Sequence, residues 1–246
     1  SSGFSEIGKS DEEREIVEIA NSYGTRILGP NIFGIYHSRA NLNATFGPEN
    51  IKPGNIALVS QSGALGIALI EKTVAEEIGL STIVSLGNKA DIAEGEILRY
   101  LKNDKETEAI IIYLEGTDKG RELLNTAKEV IQNKPIIIIK AGSSAKGAEA
   151  ASSHTGSMAG SDRIYNAAFK QGGIIRAKTA NQAFNWARTV GSQPVPEGDK
   201  VVIITNGGGV GVLATDACEE EGLSLYNDQN VLSREFDSVI PEFGST

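Results

Sequence analysis

The run EAIIIYLE at residues 108–115 is apolar at nearly every position. That is the pattern of a strand buried on both faces, at the centre of a parallel sheet. PIIIIK at 135–140 is almost pure sheet as well. Around these two runs the chain repeats one unit: a short β-branched run, a glycine, then an amphipathic helical stretch. Such alternation predicts an α/β fold, a mainly parallel sheet with helices on its faces. Further strands are expected at ILG (27–29, ended by Pro30), NIALVS (55–60), STIVSLG (81–87) and IIRA (174–177). Helices are expected over 11–23, 63–77, 94–104, 119–133, 161–171 and 180–190.

SQPVPEGD at 192–199 holds two prolines, a glycine and polar residues, the composition of a linker. Beyond it the pattern restarts in KVVIITNGGGVGVLATDACEEEG: strand, glycine loop, helix. The domain reading is therefore 1–191, a linker at 192–199, and 200–246 as the start of a second α/β domain. The tail after Asn206 holds too few elements for a doubly wound domain, so this second domain is expected to be truncated. The abrupt start, SSGFSEIGKSDEERE, points the same way, to a piece of a longer chain.

The formal net charge is −9, which argues against a nucleic-acid footprint, since that needs a basic patch or stripe. A small anion is still admissible, because backbone N–H groups bind one without net positive charge. Cys218 is the only cysteine. That rules out a disulfide framework or cysteine-based zinc site within the chain and points to a reducing cytoplasm. No apolar run approaches the ~20 residues that span a bilayer, and the first residues carry no signal-peptide pattern.

Two glycine loops open helices, SQSGAL at 60–65 and NGGGVG at 206–211. A helix whose first turn lacks bulky side chains exposes unpaired N–H groups and the positive end of its dipole, a ready phosphate site. In the first loop the hydroxyls of Ser60 and Ser62 can add donors, and Gly63 lets the backbone approach an anion. In the second, Asn206 can cap or donate, and Gly207, Gly208 and Gly209 open the loop. Neither is a Walker A loop, because the terminal Gly-Lys-Ser/Thr is missing. Each reads equally well as a tight βα turn. SQSGA lacks the first glycine of a nucleophile elbow, and no ordered His and acid follow it, which disfavours a serine hydrolase.

The two histidines are His37 and His154. His37, in IYHSRANLN, follows a short strand beside Arg39 and reads as a partly exposed loop residue. His154 sits among Ser, Thr, Gly and Ala in ASSHTGSMAG, between a strand's C-terminal end and a helix N-terminus. In parallel sheets that edge is where ligands bind, and a neutral imidazole is a usable nucleophile; a plain loop or capping role is the competing reading. Glu115 ends EAIIIYLE and belongs at the same edge, where a carboxylate can accept the other ring N–H and stabilise a charged ring. SLGNKADI at 85–92 adds Gly87, Asn88, Lys89 and Asp91, either lining a pocket or simply forming a βα turn.

Taken together, SSGFSEIG (1–8), RILGPNIFGI (26–35), LNATF (42–46), ALVSQSGALG (57–66), SLGNKADI (85–92), SSHTGSMAG (152–160) and ITNGGGVGVLATDA (204–217) resemble the α portion of the ADP-forming acyl-CoA synthetases. These include the ADP-forming acetate–CoA ligases and are relatives of succinyl-CoA synthetase. The resemblance covers essentially the whole chain. It implies a flavodoxin-like doubly wound parallel sheet, succinyl-CoA synthetase-like, followed by the start of a second flavodoxin-like ligase domain. It also implies a reversible reaction of acyl-CoA, ADP and phosphate to free acid, CoA and ATP, through acyl phosphate and a phosphohistidine.

By residue-to-residue match, the resemblance makes His154 the phosphorylated histidine and Glu115 its stabilising glutamate. Ser62, Gly63 and Ala64 become one phosphate-holding helix terminus, and Asn206 to Val210, with Gly207, Gly208 and Gly209, the opposing one. Pro30, Asn31, Gly87 and Asn88 fall near the CoA thioester and acyl group. CoA and ADP/ATP enter as substrates. Mg-nucleotide belongs to an ATP-grasp domain on a β subunit or fused elsewhere, and this chain itself holds no metal. A CoA-binding domain is implied before SSGFSE, with residues 1–8 as its end. The full enzyme is expected to be a cytoplasmic oligomer without nucleic-acid or membrane partners, and this chain alone is not expected to turn over. The alternative is a regulatory or acetyltransferase-associated module of the same fold without synthetase turnover; an unrelated flavin or nucleotide binder ranks below both.

Overall fold

The computed structural model describes residues 2–144, 146–147, 161–194, 196 and 198–241. The chain divides into two compact units, Ser1–Gln193 and Pro194–Thr246. In the first, a short 3-10 turn at Ser5–Ile7 leads into α1 (Ser10–Ser22), and a hairpin follows, β1 (Gly34–His37) and β2 (Leu42–Thr45). The repeating unit then runs as β3 (Pro53–Ser60), α2 (Gly63–Ala75), β4 (Leu80–Ser85), α3 (Glu94–Asn103), β5 (Ala109–Leu114), α4 (Gly120–Val130), β6 (Ile136–Lys140), α5 (Asp162–Gln171), β7 (Ile175–Ala177) and α6 (Ala180–Ser192).

These strands form one seven-stranded sheet in the order β2-β1-β4-β3-β5-β6-β7. The pairs β4·β3, β3·β5, β5·β6 and β6·β7 are parallel. The doubly wound parallel sheet expected from the sequence is therefore present, with the chain moving outward from β3 in both directions.

Alternation along each strand divides the core between the two faces. Ile56, Leu58, Ile111 and Ile137 pack with Leu69 and Ile70 of α2 and Ala183, Phe184 and Ala187 of α6. Ala57, Val59, Ile110, Ile112 and Ile138 pack with Leu98 and Leu101 of α3, Leu123 and Val130 of α4 and Phe169 of α5. Strands covered on both sides must be apolar at every position, which is why β5 and β6 carry unbroken isoleucines.

The antiparallel hairpin at one edge is a departure from expectation. β1 pairs antiparallel with both β2 and β4, closed by a turn in which Asn41 adopts φ 48°, a left-handed conformation asparagine tolerates. Conversely, ILG at 27–29 forms no strand. Gly29 takes φ 97° and the Gly29–Pro30 bond is cis. The segment bonds instead to the loop after β4: the Ala90 N–H reaches Gly29 O at 3.0 Å and the Ile92 N–H reaches Ile27 O at 3.2 Å. Asp91 completes this attachment. It accepts the Ile27 N–H at 2.8 Å and two nitrogens of Arg26, and Arg26 also bonds Glu96. Of the two readings open for Asp91, the structural one holds.

In the second unit only Lys200–Val201 of KVVIIT pair as a strand, β8, with β9 (Ser224–Leu225). α7 (Gly208–Glu220) and α8 (Gln229–Phe236) complete it. Val202 and Ile204 stay exposed, because no further described strand pairs beside them.

Phe184 is fully buried among both helices and sheet. Phe184→Ala should lower unfolding stability by about 3–5 kcal/mol, read from urea denaturation, through lost transfer energy and a residual cavity. Asp91 gives an acid-side test. The Arg26 hydrogen bonds hold its carboxyl below the usual value of 3.8, while the guanidinium stays charged throughout. Stability from the pair is thus complete above the unfolded carboxyl's value and is lost as pH falls through the lower, folded one. Melting curves of the native protein should drop more steeply below about pH 4 than those of Asp91→Asn.

Candidate functional site

The order β4-β3-β5-β6-β7 reverses direction at β3 and β5, and α2 and α4, which follow those two strands, lie on opposite faces. Their C-terminal ends therefore border the crevice where open α/β sheets bind ligands. Gln61 leaves β3 and Glu115 leaves β5 at this point. The Gln61 N–H donates to Tyr113 O at 3.1 Å. Its side-chain Oε1 accepts the N–H groups of Glu115 at 2.9 Å and Gly116 at 3.2 Å.

Glu115 is only 8% exposed. Its influence is visible on Tyr113, whose hydroxyl is pushed up to about 12, by burial first and then by the charge and hydrogen bond of the Glu115 carboxylate. Lys140, at the end of β6 and equally buried, donates to Glu115 O at 2.7 Å and also to Ala141 O. Its ammonium lies 4.5 Å from the centre of the Tyr165 ring. Burial, helped by Arg176, holds Lys140 below the ordinary lysine range.

The α2 terminus opens beside this edge. The Ser62 side chain caps it, accepting the Leu65 N–H at 3.4 Å. A Cβ built on Gly63 meets nothing within 4 Å, and Ala64 is exposed, so the first turn offers its N–H groups to the crevice. Ser60 does not add the donor expected of it: it is fully buried, and its hydroxyl donates to Ser62 O at 2.7 Å.

Pro30, Asn31, Gly87 and Asn88 come together. The Asn88 N–H donates to Pro30 O at 3.0 Å, and Asn31 Nδ2 donates to Asn88 Oδ1 at 3.3 Å. Gly87 has φ 55°, and a Cβ there would stand 2.1 Å from Pro30 O, so glycine alone permits this approach. Asn88 Nδ2 in turn donates to Glu6 at 2.6 Å and Glu13 at 2.7 Å. The result is a cleft of about 320 Å³ whose walls include Asn31, Gln61, Gly87, Asn88, Lys89 and Glu115.

Gln61, Glu6 and Glu13 were not singled out as site residues from sequence, while Lys89, one of the residues read there as lining a pocket or forming a turn, lines the cleft. Gln61 carried a usable signal, its place directly after a predicted central strand. Glu6 and Glu13 carried none, because contact with Asn88 joins positions 75 or more residues apart. His154 lies outside the described residues. Asn206, Gly207, Gly208 and Gly209 belong to the second unit. There the Gly207 N–H donates to Thr205 Oγ1 at 3.1 Å, and Gly208 and Gly209 begin α7 with open space around them. His37 ends β1, and its Nδ1 accepts the Ala40 N–H at 3.2 Å, a turn-closing role. Among the described residues no group of three or more His, Cys, Asp or Glu could hold a metal ion, and no helix is long and apolar enough to cross a membrane.

Residues 53–190, more than half of the chain, match the succinyl-CoA ligase like flavodoxin domain, and residues 201–246 match the ligase-CoA domain. The acetate–CoA ligase (ADP-forming) I subunit alpha of Pyrococcus furiosus is 58% identical over 247 residues, covering 100% of this chain and 53% of that protein. The 4-hydroxybutyrate–CoA ligase (ADP-forming) of Nitrosopumilus maritimus is 41% identical, covering 99% of this chain and 36% of that protein. Among solved structures, the dinucleotide-forming acetyl-coenzyme A synthetase 1 of Ca. Korarchaeum cryptofilum, in complex with phosphate and ADP, superposes with a TM-score of 0.93 at 49% identity, over 100% of this chain and 53% of that one. The chain thus spans about half the length of the ligase subunits it matches. With the sheet order, the crevice and these matches in agreement, the chain belongs to the succinyl-CoA ligase-like flavodoxin family.

Proposed function

We propose that this chain is the phosphohistidine-carrying part of an ADP-forming acyl-CoA synthetase. The overall reaction converts acyl-CoA, ADP and phosphate into free acid, CoA and ATP, reversibly. One observation carries the reading: a buried carboxylate, Glu115, held at the switch point of the sheet, at the same strand-end edge as the open helix terminus at Ser62, Gly63 and Ala64.

Phosphate attacks the thioester carbonyl, and the C–S bond breaks to release CoA and leave acyl phosphate. A ring nitrogen of His154 then attacks phosphorus; the P–O bond to the acyl group breaks, and the free acid leaves. Glu115 accepts the N–H of the other ring nitrogen, which fixes the tautomer and stabilises the positive ring. ADP finally attacks the phosphohistidine, giving ATP and restoring His154. Each phosphoryl transfer depends on positioning and electrostatics more than on covalent machinery.

The helix N-terminus at Ser62–Ala64 supplies N–H donors and a positive dipole end to the phosphoryl oxygens. Asn206 and Gly207–Gly209 form a second such terminus. Pro30, Asn31, Gly87 and Asn88 shape the wall nearest the acyl-CoA. Nucleotide with Mg²⁺ is held by an ATP-grasp β subunit or fused domain, and the CoA-binding domain lies in the rest of the protein. The assembly is an oligomer that works in the cytoplasm. The alternative regulatory module has no specific observation in its favour.

The test is phosphorylation of the full-length protein with its nucleotide-binding partner, using labelled ATP and Mg²⁺. Acid-labile, base-stable label should appear on the native protein and vanish in His154→Ala, while Glu115→Gln should slow labelling about 10- to 100-fold. Label that persists in His154→Ala contradicts the assignment.

A further inference from the structure

The turn that carries Glu115 has an unusual set of partners. Over three consecutive residues, the backbone polar groups are met by long side chains from separate elements. The N–H groups of Glu115 and Gly116 both reach Gln61 Oε1. The carbonyl of Glu115 accepts from Lys140 at 2.7 Å, and the carbonyl of Gly116 accepts from Lys89. The Thr117 N–H reaches the Tyr165 hydroxyl at 3.3 Å, and Thr117 Oγ1 donates to Glu94 at 3.2 Å.

The partners are tied to one another as well. Lys89 pairs with Glu94 at 2.7 Å, and Glu94 is 1% exposed. Lys140 sits over the ring of Tyr165. The network closes on itself: Lys140, Tyr165, Thr117, Glu94, Lys89, Gly116. An ordinary strand-end turn is satisfied by water or by neighbouring backbone. Burying Lys140 at this turn is costly, because desolvation disfavours its charge. Such an arrangement suits a place where a side chain must be fixed to within a fraction of an ångström.

We infer that Gln61, Lys89 and Lys140 are positioning residues for the Glu115 carboxylate, clamping the peptide groups on either side of it from β3, the loop after β4, and β6. This rests on the proposed role of Glu115 toward His154. Lys140 and Gln61 act on the reaction only through Glu115. Removing either lets the turn shift, so the carboxylate no longer meets the imidazole squarely. Small misplacements of this kind cost large factors in rate.

The experiment is a double-mutant cycle on the full-length protein with its nucleotide-binding partner, read as the single-turnover rate of phosphorylation by Mg-ATP. Lys140→Met should slow phosphorylation about 10-fold or more in the native background. In the Glu115→Gln background the same change should cost less than about 2-fold, because the group it positions is gone. Gln61→Leu, at a partly exposed site, should repeat that pattern, and it carries the comparison if Lys140→Met melts at a lower temperature. If Glu115→Gln slows phosphorylation but the clamp variants have no effect, or multiply with it independently, the clamp is overturned while the role of Glu115 stands. If Glu115→Gln itself leaves the rate unchanged, the role of Glu115 and the clamp are both overturned.

Discussion

The bifurcated acceptance by Gln61 Oε1 of the Glu115 and Gly116 N–H groups bridges the two strand ends that border the crevice. β3 and β5 run side by side through the core, but beyond the Gln61 N–H bond to Tyr113 O the chain departs to opposite faces. Without this bridge, the peptides around Glu115 would be held from the β6 side, by the Ala141 N–H on Leu114 O and by Lys140 on Glu115 O, and by Lys89 on Gly116 O. With it, the carboxylate inherits the rigidity of two central strands whose C-terminal halves are largely buried. Buried polar groups in such a place must all be paired, since each unmade bond costs about 1–3 kcal/mol. The lysines at 89 and 140 meet that demand on the carbonyl side.

The rest of the fold holds this edge in place. The two apolar layers keep β3, β5 and β6 covered on both faces, leaving ligands only the ends of the strands. The loop after β4 is held from outside, through Asp91 to Arg26 and Ile27, and from inside by the contact between Gly87 and Pro30. Asn88 is thereby delivered to the cleft wall, where Glu6 and Glu13 take its amide.

The sheet and its winding were legible because burial on both faces imposes a near-continuous apolar run, which β5 and β6 carry most clearly. The hairpin 34–45 was not, since an edge pair with little burial has no such signature, although the short strand ahead of His37 was. ILG at 27–29 misled for the opposite reason: apolar residues sit there, but the left-handed Gly29 and the bonds to 90–92 serve the loop, not the sheet. Of the site, Glu115 could be read from its place at the end of an apolar strand, and Asn31, Gly87 and Asn88 from a family pattern. Gln61 and Lys140 escaped, and Lys89 was read only as a pocket-lining or turn residue, because a side chain that holds backbone looks, in sequence, like any polar residue after a strand.

The central claim is that Glu115 holds the non-phosphorylated nitrogen of His154 in its protonated, positive form. Nitrogen-15 NMR of histidine-labelled, phosphorylated full-length protein tests it directly. The account predicts one ring nitrogen bonded to phosphorus, with the other carrying a hydrogen-bonded proton at pH values well above the usual histidine range, near 6.5, and losing that proton at lower pH in Glu115→Gln. A ring whose free nitrogen titrates identically with and without the Glu115 carboxylate, or phosphate found on a different residue, would contradict it.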